Sequence, residues 1–409
     1  MYGAAIRAAD PRAAVSRALA SESGSTRVWI IAIGKAAAGM ADGALEALRD
    51  AGRPLAGGIV IGPPGAAPHE SPLAWAAGNH PLPDADSSRA ADALGAVVAR
   101  VRPGEEVRVL LSGGATSLLG APLPGISLAA LRELFRAISR AGLDIHEANA
   151  IRRRFLRWGG GRLAAALVHA RVQVLAISDV PGDHFATIGS GPCAPDLLTV
   201  ADLALRLERH GLREQLPGEL SAWLDRAGAD AETPKPAKLP TPPHRIILRN
   251  ADALEAAAAE ARRRNYFAEV IGTVEGEASE IGERIGARLA TATPGSCLIW
   301  GGESTVTLGA NPGHGGRSQE LALAAAVAIA ATNAALLAAG TDGRDGPTDA
   351  AGAIVDGETL DRLRAASVDV PAALARHDVY AALDGVGALF RPGPTGTNVM
   401  DVVFGLRPR

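Results

Sequence analysis

Cysteine is almost missing from this chain: 409 residues contain two, Cys193 and Cys297, and no CxxC pair. A disulfide framework and a zinc ribbon are therefore excluded, and both thiols read as small core hydrophobes. An excess of either charge is missing too, with 41 Lys+Arg against 44 Asp+Glu, a formal net charge of -3 and a pI of about 6.3. Without a basic footprint, neither nucleic acid nor an anionic membrane is the expected partner, which leaves a small molecule. The first twenty residues hold Arg7, Asp10, Arg12 and Arg17 and no continuous apolar run. No secretory signal is expected there, and the location reads as cytoplasmic. One uncharged stretch, 321–341, is long enough to span a bilayer, but it is mostly alanine, is interrupted by Thr332 and Asn333, and runs into glycine. It predicts a buried helix followed by a buried strand rather than a span. No internal repeat is visible apart from the alanine bias.

Lysine is the other scarcity. Of the 41 basic residues only Lys35, Lys235 and Lys238 are lysine. The last two lie in 227–244 (AGADAETPKPAKLPTPPH), whose prolines predict a semi-rigid exposed linker. Lys35 is then the only lysine of the ordered body. It reads either as a compact ammonium with little room around it, where arginine does not serve, or as a chance survivor.

Apolar residues make up 47% and charged residues 21%, so the chain can bury large cores. At about 150 residues per domain, its length suggests two or three domains. Short β-rich runs alternate with alanine-rich helical patterns, which predicts an α/β architecture with mostly parallel sheets covered on both faces. Strands are expected at 28–33, 58–61, 107–111 and 172–177 before the linker. After it they are expected at 245–248, 269–274, 297–300, 305–308, 335–339 and 401–405. The linker thus divides two α/β domains, 1–235 and 245–409. Asp10 with Pro11, Thr199 and Asn250 are expected helix starts.

Several strands end in glycine-rich or acidic turns, where open α/β sheets place ligands. They are Gly34-Lys35; Ser112-Gly113-Gly114-Ala115-Thr116-Ser117; Ser178-Asp179-Val180-Pro181-Gly182-Asp183; Gly301-Gly302-Glu303-Ser304; and 340–346. Glycines and helix starts expose N–H groups to an anion, so 112–117 reads as a phosphate or carboxylate cradle, or else as a tight turn with hydroxyl caps. Lys35 is not in a Walker A loop, since Trp29 and Ala36 stand where that motif needs glycine and a hydroxyl. The run 159–164 (GGGRLA) satisfies a dinucleotide pattern but follows the helical, arginine-rich 149–158, so it reads as a helix break. Arg152, Arg153, Arg154 and Arg157 read as an anion site or, more blandly, a solvated helical face. Asp342, Asp345 and Asp349, with Asp179 and Asp183, suit Mg²⁺ or turn capping. Arg317 opens the alanine-rich helix, as an anion clamp or an ion pair with Glu320.

Taken in order, these segments resemble the glycerate 2-kinase family whose C-terminal region is the MOFRL domain, once labelled hydroxypyruvate reductase. The resemblance rests on 34–37 (GKAA), 78–84 (GNHPLPD), 111–118 (LSGGATSL), 178–183 (SDVPGD), 188–192 (IGSGP) and 315–320 (GGRSQE). Most specific are 340–353 (GTDGRDGPTDAAGA) and 393–401 (GPTGTNVMD). It implies transfer of the ATP γ-phosphoryl to the 2-hydroxyl of D-glycerate, with Mg²⁺, in a cleft between a Rossmann-like N-terminal domain and a smaller MOFRL domain. Lys35 and Arg317 would be the essential cationic pair. Ser112, Gly113, Gly114, Thr116, Ser117, Arg162, Gly301, Gly302 and Glu303 would bind substrate or phosphate. Asp179, Asp342 or Asp345 would hold the metal or accept the hydroxyl proton. Two departures stand out: Ala115-Thr116 breaks the family's usual GGGSAL, and Gly159 replaces the lysine of KGGRLA, which is expected to alter the preferred acid toward a closely related hydroxy acid, to shift that cation's role to Arg157 or Arg162, or to reduce activity. The competing expectations are an NAD(P)H-dependent hydroxypyruvate reductase, which lacks a nucleotide fingerprint, and a non-catalytic sugar-acid binding protein.

Overall fold

A computed structural model describes every residue except 66–70, 227–231, 238 and 309–311. It separates into two compact units, 11–248 and 1–10 together with 249–409.

The first unit is built on β1 (Val28–Ile33), β2 (Leu55–Gly62), β3 (Ala74–Ala77), β4 (Glu106–Leu111), β5 (Arg171–Ile177) and β6 (His244–Leu248). Their order is β3-β2-β1-β4-β5-β6 and every pair is parallel. All six residues of β1 (VWIIAI) are buried, as a strand covered on both faces demands. The chain leaves β1 for β2 on one side and returns to β4 on the other. That reversal opens a crevice at the C-terminal ends of β1 and β4, where such sheets bind ligands. Thr199 caps the helix Val200–Arg209 as expected, with Asp202 closing the reciprocal bond.

The boundary differs from the expected division at 235–245. β6 completes the first sheet against β5, so the chain crosses only after Leu248. The described part of the proline-rich stretch, 232–237 and 239–244, is not wholly exposed either. Thr233 and Leu239 are buried, and the Lys235 ammonium donates to the Asp196 carbonyl at 3.1 Å and pairs with Glu232 at 2.8 Å. Lys35 is therefore not the sole ordered lysine, while Lys238 lies outside the described residues.

The second unit carries β7 (Phe267–Glu277), β8 (Ser296–Thr305), β9 (Ala335–Gly340), β10 (Gly352–Asp356), β11 (Leu389–Phe390) and β12 (Asp401–Arg407) in the order β11-β10-β9-β12-β8-β7. The expected parallel run is realised for β7, β8 and β9, which helices connect and which point one way. β12 inserts between β8 and β9 in the opposite direction, and β10 returns beside β9. Only the β7–β8 pair is therefore parallel, and the other four pairs are antiparallel. The alanine-rich stretch forms the buried helix Arg317–Ala328 and then β9. Among the described residues no helix is long and apolar enough to cross a membrane.

Three further expectations change here. The run 301–304 is strand, not turn, because β8 is paired on both sides: Gly301 and Gly302 face Val402 and Asp401 on one edge and Thr273 and Val274 on the other. Of the strand expected at 305–308, only Thr305 is extended. Asn250 does not cap its helix; Asp252 accepts the Arg249 N–H there, while the Asn250 amide donates to the carbonyls of Val399 (2.7 Å) and Asp401 (3.1 Å). Residues 1–10 join this unit through the helix Tyr2–Ala8, which packs on the helix Asn250–Arg263. The Tyr2 hydroxyl donates to the Gly340 carbonyl at 2.9 Å, and its ring meets Phe390 edge-on.

Candidate active site

In the first unit the turns after β1 and β4 are stitched together. The Ser112 N–H continues the ladder to the Ile33 carbonyl, and the Lys35 N–H donates to the Gly113 carbonyl at 2.8 Å. A Cβ on Gly34 would overlap Ser112, which is why glycine stands there at φ 130. The Ala36 N–H in turn donates to Ser112 Oγ at 3.1 Å. Gly114, at φ 79, leads into the short helix Ala115–Leu118. Its missing side chain leaves room for the Lys35 stem, whose Cγ would lie 3.2 Å from a Cβ there, with the His80 ring at 3.3 Å. Lys35 is half-buried.

The hydroxyls of this loop hold loops rather than face outward. Thr116 Oγ1 and Ser190 Oγ are 2.9 Å apart, and Ser117 Oγ donates to the Pro81 carbonyl at 2.6 Å. Of the proposed cradle, what remains for a ligand is backbone: the N–H groups of Gly113, Gly114 and Ala115 stand ahead of the first helical turn and have no intrahelical acceptor. Asp179 is half-buried just beyond β5.

The arginine-rich segment is not a solvated face. Arg154 is fully buried and donates to Asp196 (3.1 Å), the Leu198 carbonyl (2.8 Å) and Thr233 Oγ1 (2.8 Å). Arg153 pairs with Asp196 at 3.2 Å, and Arg157 with Asp92. Arg162 donates to the carbonyls of Arg153, Leu156, Gly159 and Arg154, so its guanidinium ties the end of the helix Ile145–Phe155 to the glycine break. Burial pushes its pKa down to about 10. That role as a structural tie accounts for Arg162 without a ligand.

In the second unit the two long glycine motifs interlock with 315–320. Arg317 donates from Nε to Asp401 Oδ2 at 2.6 Å and from Nη2 to Oδ1 at 3.1 Å, a fork that fixes its plane, and it also pairs with Glu303. Its partner is thus not Glu320, which is buried against His377 Nδ1 at 2.9 Å. Asp345 caps the helix Arg317–Ala328, accepting the N–H of Ser318 (3.1 Å) and Gln319 (2.8 Å). Burial, with the charge of Asp401 second, pushes its pKa up to about 7. Asp342 is half-buried, and one of its oxygens accepts the Arg344 N–H at 3.0 Å. Asp349 lies at the surface with Tyr380 and Arg391. Among the described residues no group of three or more His, Cys, Asp or Glu side chains is arranged to hold a metal.

Asp401 is the main residue that sequence reasoning passed over. Its signal was available: it ends the glycine motif 393–401 and opens β12, and because β12 runs against β8 and β9 it aligns with Gly302 within β8 and with Gly340, the last residue of β9. Thr341 is another. Its hydroxyl donates to the Met400 carbonyl at 2.6 Å and accepts the Val399 N–H at 2.9 Å, binding the two motifs together.

Two family models match, one to each half of the chain. Residues 1–225 match a domain of unknown function (DUF4147), and residues 296–401 match the MOFRL family. The chain is 36% identical over 99% of its length to a glycerate 2-kinase of Pyrococcus horikoshii, 96% of which is covered. It is 38% identical over 93% of its length to a D-glycerate 2-kinase of Thermotoga maritima, 90% of which is covered. The crystal structure of a Thermotoga maritima glycerate kinase superposes with a TM-score of 0.83 at 35% identity, covering 99% of this chain and 97% of that one. A MOFRL match, with similarity to these glycerate 2-kinases nearly end to end, places the chain in the MOFRL-containing glycerate 2-kinase family.

Proposed function

We propose that this protein transfers the γ-phosphoryl group of ATP to the 2-hydroxyl of D-glycerate. The observation that carries the proposal is the near end-to-end similarity, in sequence and in fold, to proteins named as glycerate 2-kinases. Phosphoryl transfer asks for positioning and charge neutralisation more than for covalent help. In this proposal Lys35 supplies a compact ammonium and Arg317 a guanidinium already oriented by Asp401 and Glu303. The backbone of Gly113 and Gly114 receives an anionic oxygen. Asp179 is the proposed acceptor of the hydroxyl proton.

Mg²⁺ usually takes one or two carboxylates and completes its shell with waters and substrate phosphates, and it would neutralise charge on the transferred group. Asp342, half-buried, fits that demand. Asp345 fits it less well, since both its oxygens accept backbone N–H groups at a helix start and burial raises its carboxyl to about 7. The reductase alternative has no fingerprint to stand on: the run 159–164 follows the helix Ile145–Phe155, not a strand.

The test is ADP release from purified protein with ATP, Mg²⁺ and D-glycerate, beside an NAD(P)H assay with hydroxypyruvate and a Lys35→Ala control. ADP formation that needs both glycerate and Lys35, with phosphate on the 2-carbon by NMR, is the expected result. NAD(P)H consumption without ADP release overturns it in favour of a reductase, and silence in both assays points to another acid as acceptor or to a binding role.

A further inference from the structure

Each arginine of the 152–162 segment but one is held by a carboxylate or by several carbonyls. Arg153 and Arg154 face Asp196, Arg157 faces Asp92, and Arg162 is held by four carbonyls. Arg152 differs. Among the described residues it makes no ion pair. Its one hydrogen bond runs from Nη1 to Asn149 Oδ1, a long 3.4 Å, and its Nε is buried with no acceptor. The guanidinium lies over the buried ring of Phe135, 4.9 Å from the centroid, so one face is covered and its edge is left to bond. Burial lowers its pKa to about 10, and no carboxylate offsets that effect. A cation held half out of water without a counter-charge is costly, and native structures retain one where a ligand supplies the missing anion.

Its place in the fold points the same way. Asn149, which holds the Arg152 guanidinium, donates its amide to the Thr187 carbonyl at 2.9 Å. Thr187 leads into the turn Ile188–Ser190, and Ser190 shares a hydrogen bond with Thr116 of the turn after β4. His146 Nδ1, one turn before Asn149 on the same helix, lies 3.0 Å from Thr187 Oγ1. Arg152 is thus linked, within one unit, to the glycine turn at the ligand end of the parallel sheet.

We propose that Arg152 binds the carboxylate of the hydroxy-acid substrate, its planar fork bonding bidentately to the anion. The inference rests on the kinase reading for the identity of that acid. ATP phosphate is the other source of anionic oxygen, and the arms of the experiment separate the two.

The experiment measures D-glycerate binding by calorimetry without ATP, and KM and kcat with D-glycerate and with uncharged D-glyceramide, for wild type, Arg152→Gln and Arg152→Lys. A charge-assisted bidentate contact corresponds to about 10- to 100-fold in affinity. The expected result is a loss of that order for D-glycerate in Arg152→Gln, partial recovery in Arg152→Lys, and unchanged KM for ATP and for glyceramide. A purely structural role would weaken glycerate and glyceramide equally, and that outcome overturns the proposal. So does a selective rise in KM for ATP, equal glycerate binding by wild type and Arg152→Gln, or no glycerate binding by wild type. Binding that depends on Arg152 in a protein that releases no ADP would sustain this inference while the kinase reading failed.

Discussion

Lys35 and Asp345 show how a side chain's immediate surroundings set its chemistry. The Lys35 stem is seated where Gly114 lacks a side chain, beside His80. A guanidinium is wider and spreads its charge over a planar fork. Lys35→Ala is expected to lower kcat on the order of 10²- to 10³-fold with an unchanged melting temperature, and Lys35→Arg is expected not to restore it, read in the ADP-release assay. Asp345 makes a pH prediction. Its carboxyl is raised to about 7 in the folded protein, against about 3.9 in an unfolded chain. Between those values the folded state holds a proton that the unfolded state has released. The associated stability is therefore full below about pH 4 and is lost as pH rises through about 7. Asp345→Asn removes this titration, so its stability deficit relative to wild type should shrink from pH 4 to 7 in denaturant melts. Parallel curves would show that Asp345 is ionised throughout.

The elements of both units depend on close backbone approach and on caps. The helix Ala278–Ala290 lies directly on the helix Arg317–Ala328, and a Cβ on Gly282 would run into the Leu321 carbonyl. Gly282→Ala should destabilise by about 1–3 kcal/mol through overpacking, whereas Gly218→Ala, at a position with open space around it, should be neutral or slightly stabilising in urea unfolding. Because the helix Arg317–Ala328 also carries the Arg317 fork, Gly282→Ala should lower kcat beyond what lost stability explains. Thr199→Ala removes a reciprocal cap and should cost about 1 kcal/mol with no effect on turnover. The Thr199 cap and the strands β1, β2, β4, β5 and β6 were legible because a capping residue and a buried apolar run are local signals, whereas the short, half-exposed β3 carried no such run and was not expected. The direction of β12 was not, since nothing within 401–407 records that the strand inserts between two others.

For the molecule as a whole, the N-terminal ten residues offer a test of the division into units. They belong with 249–409, held by helix packing and the Tyr2 hydroxyl. Deleting residues 2–8 should speed hydrogen exchange in β9 and β12 and leave β1 and β4 protected. Equal loss of protection in both sheets would contradict that assignment.

The α/β class, most strands and the glycine turns that end them follow from the local order of residues, because a period of two or 3.6 and a glycine at a bend act over a few positions. The pairing of Arg317 with Asp401 spans 84 positions, and the docking of Tyr2 on Gly340 spans 338. The burial of Arg154, the isolation of Arg152 and the closing of Gly301 and Gly302 into a strand likewise depend on which distant segments meet. Charge compensation and ladder partners come from those neighbours, so they were settled only when the chain packed.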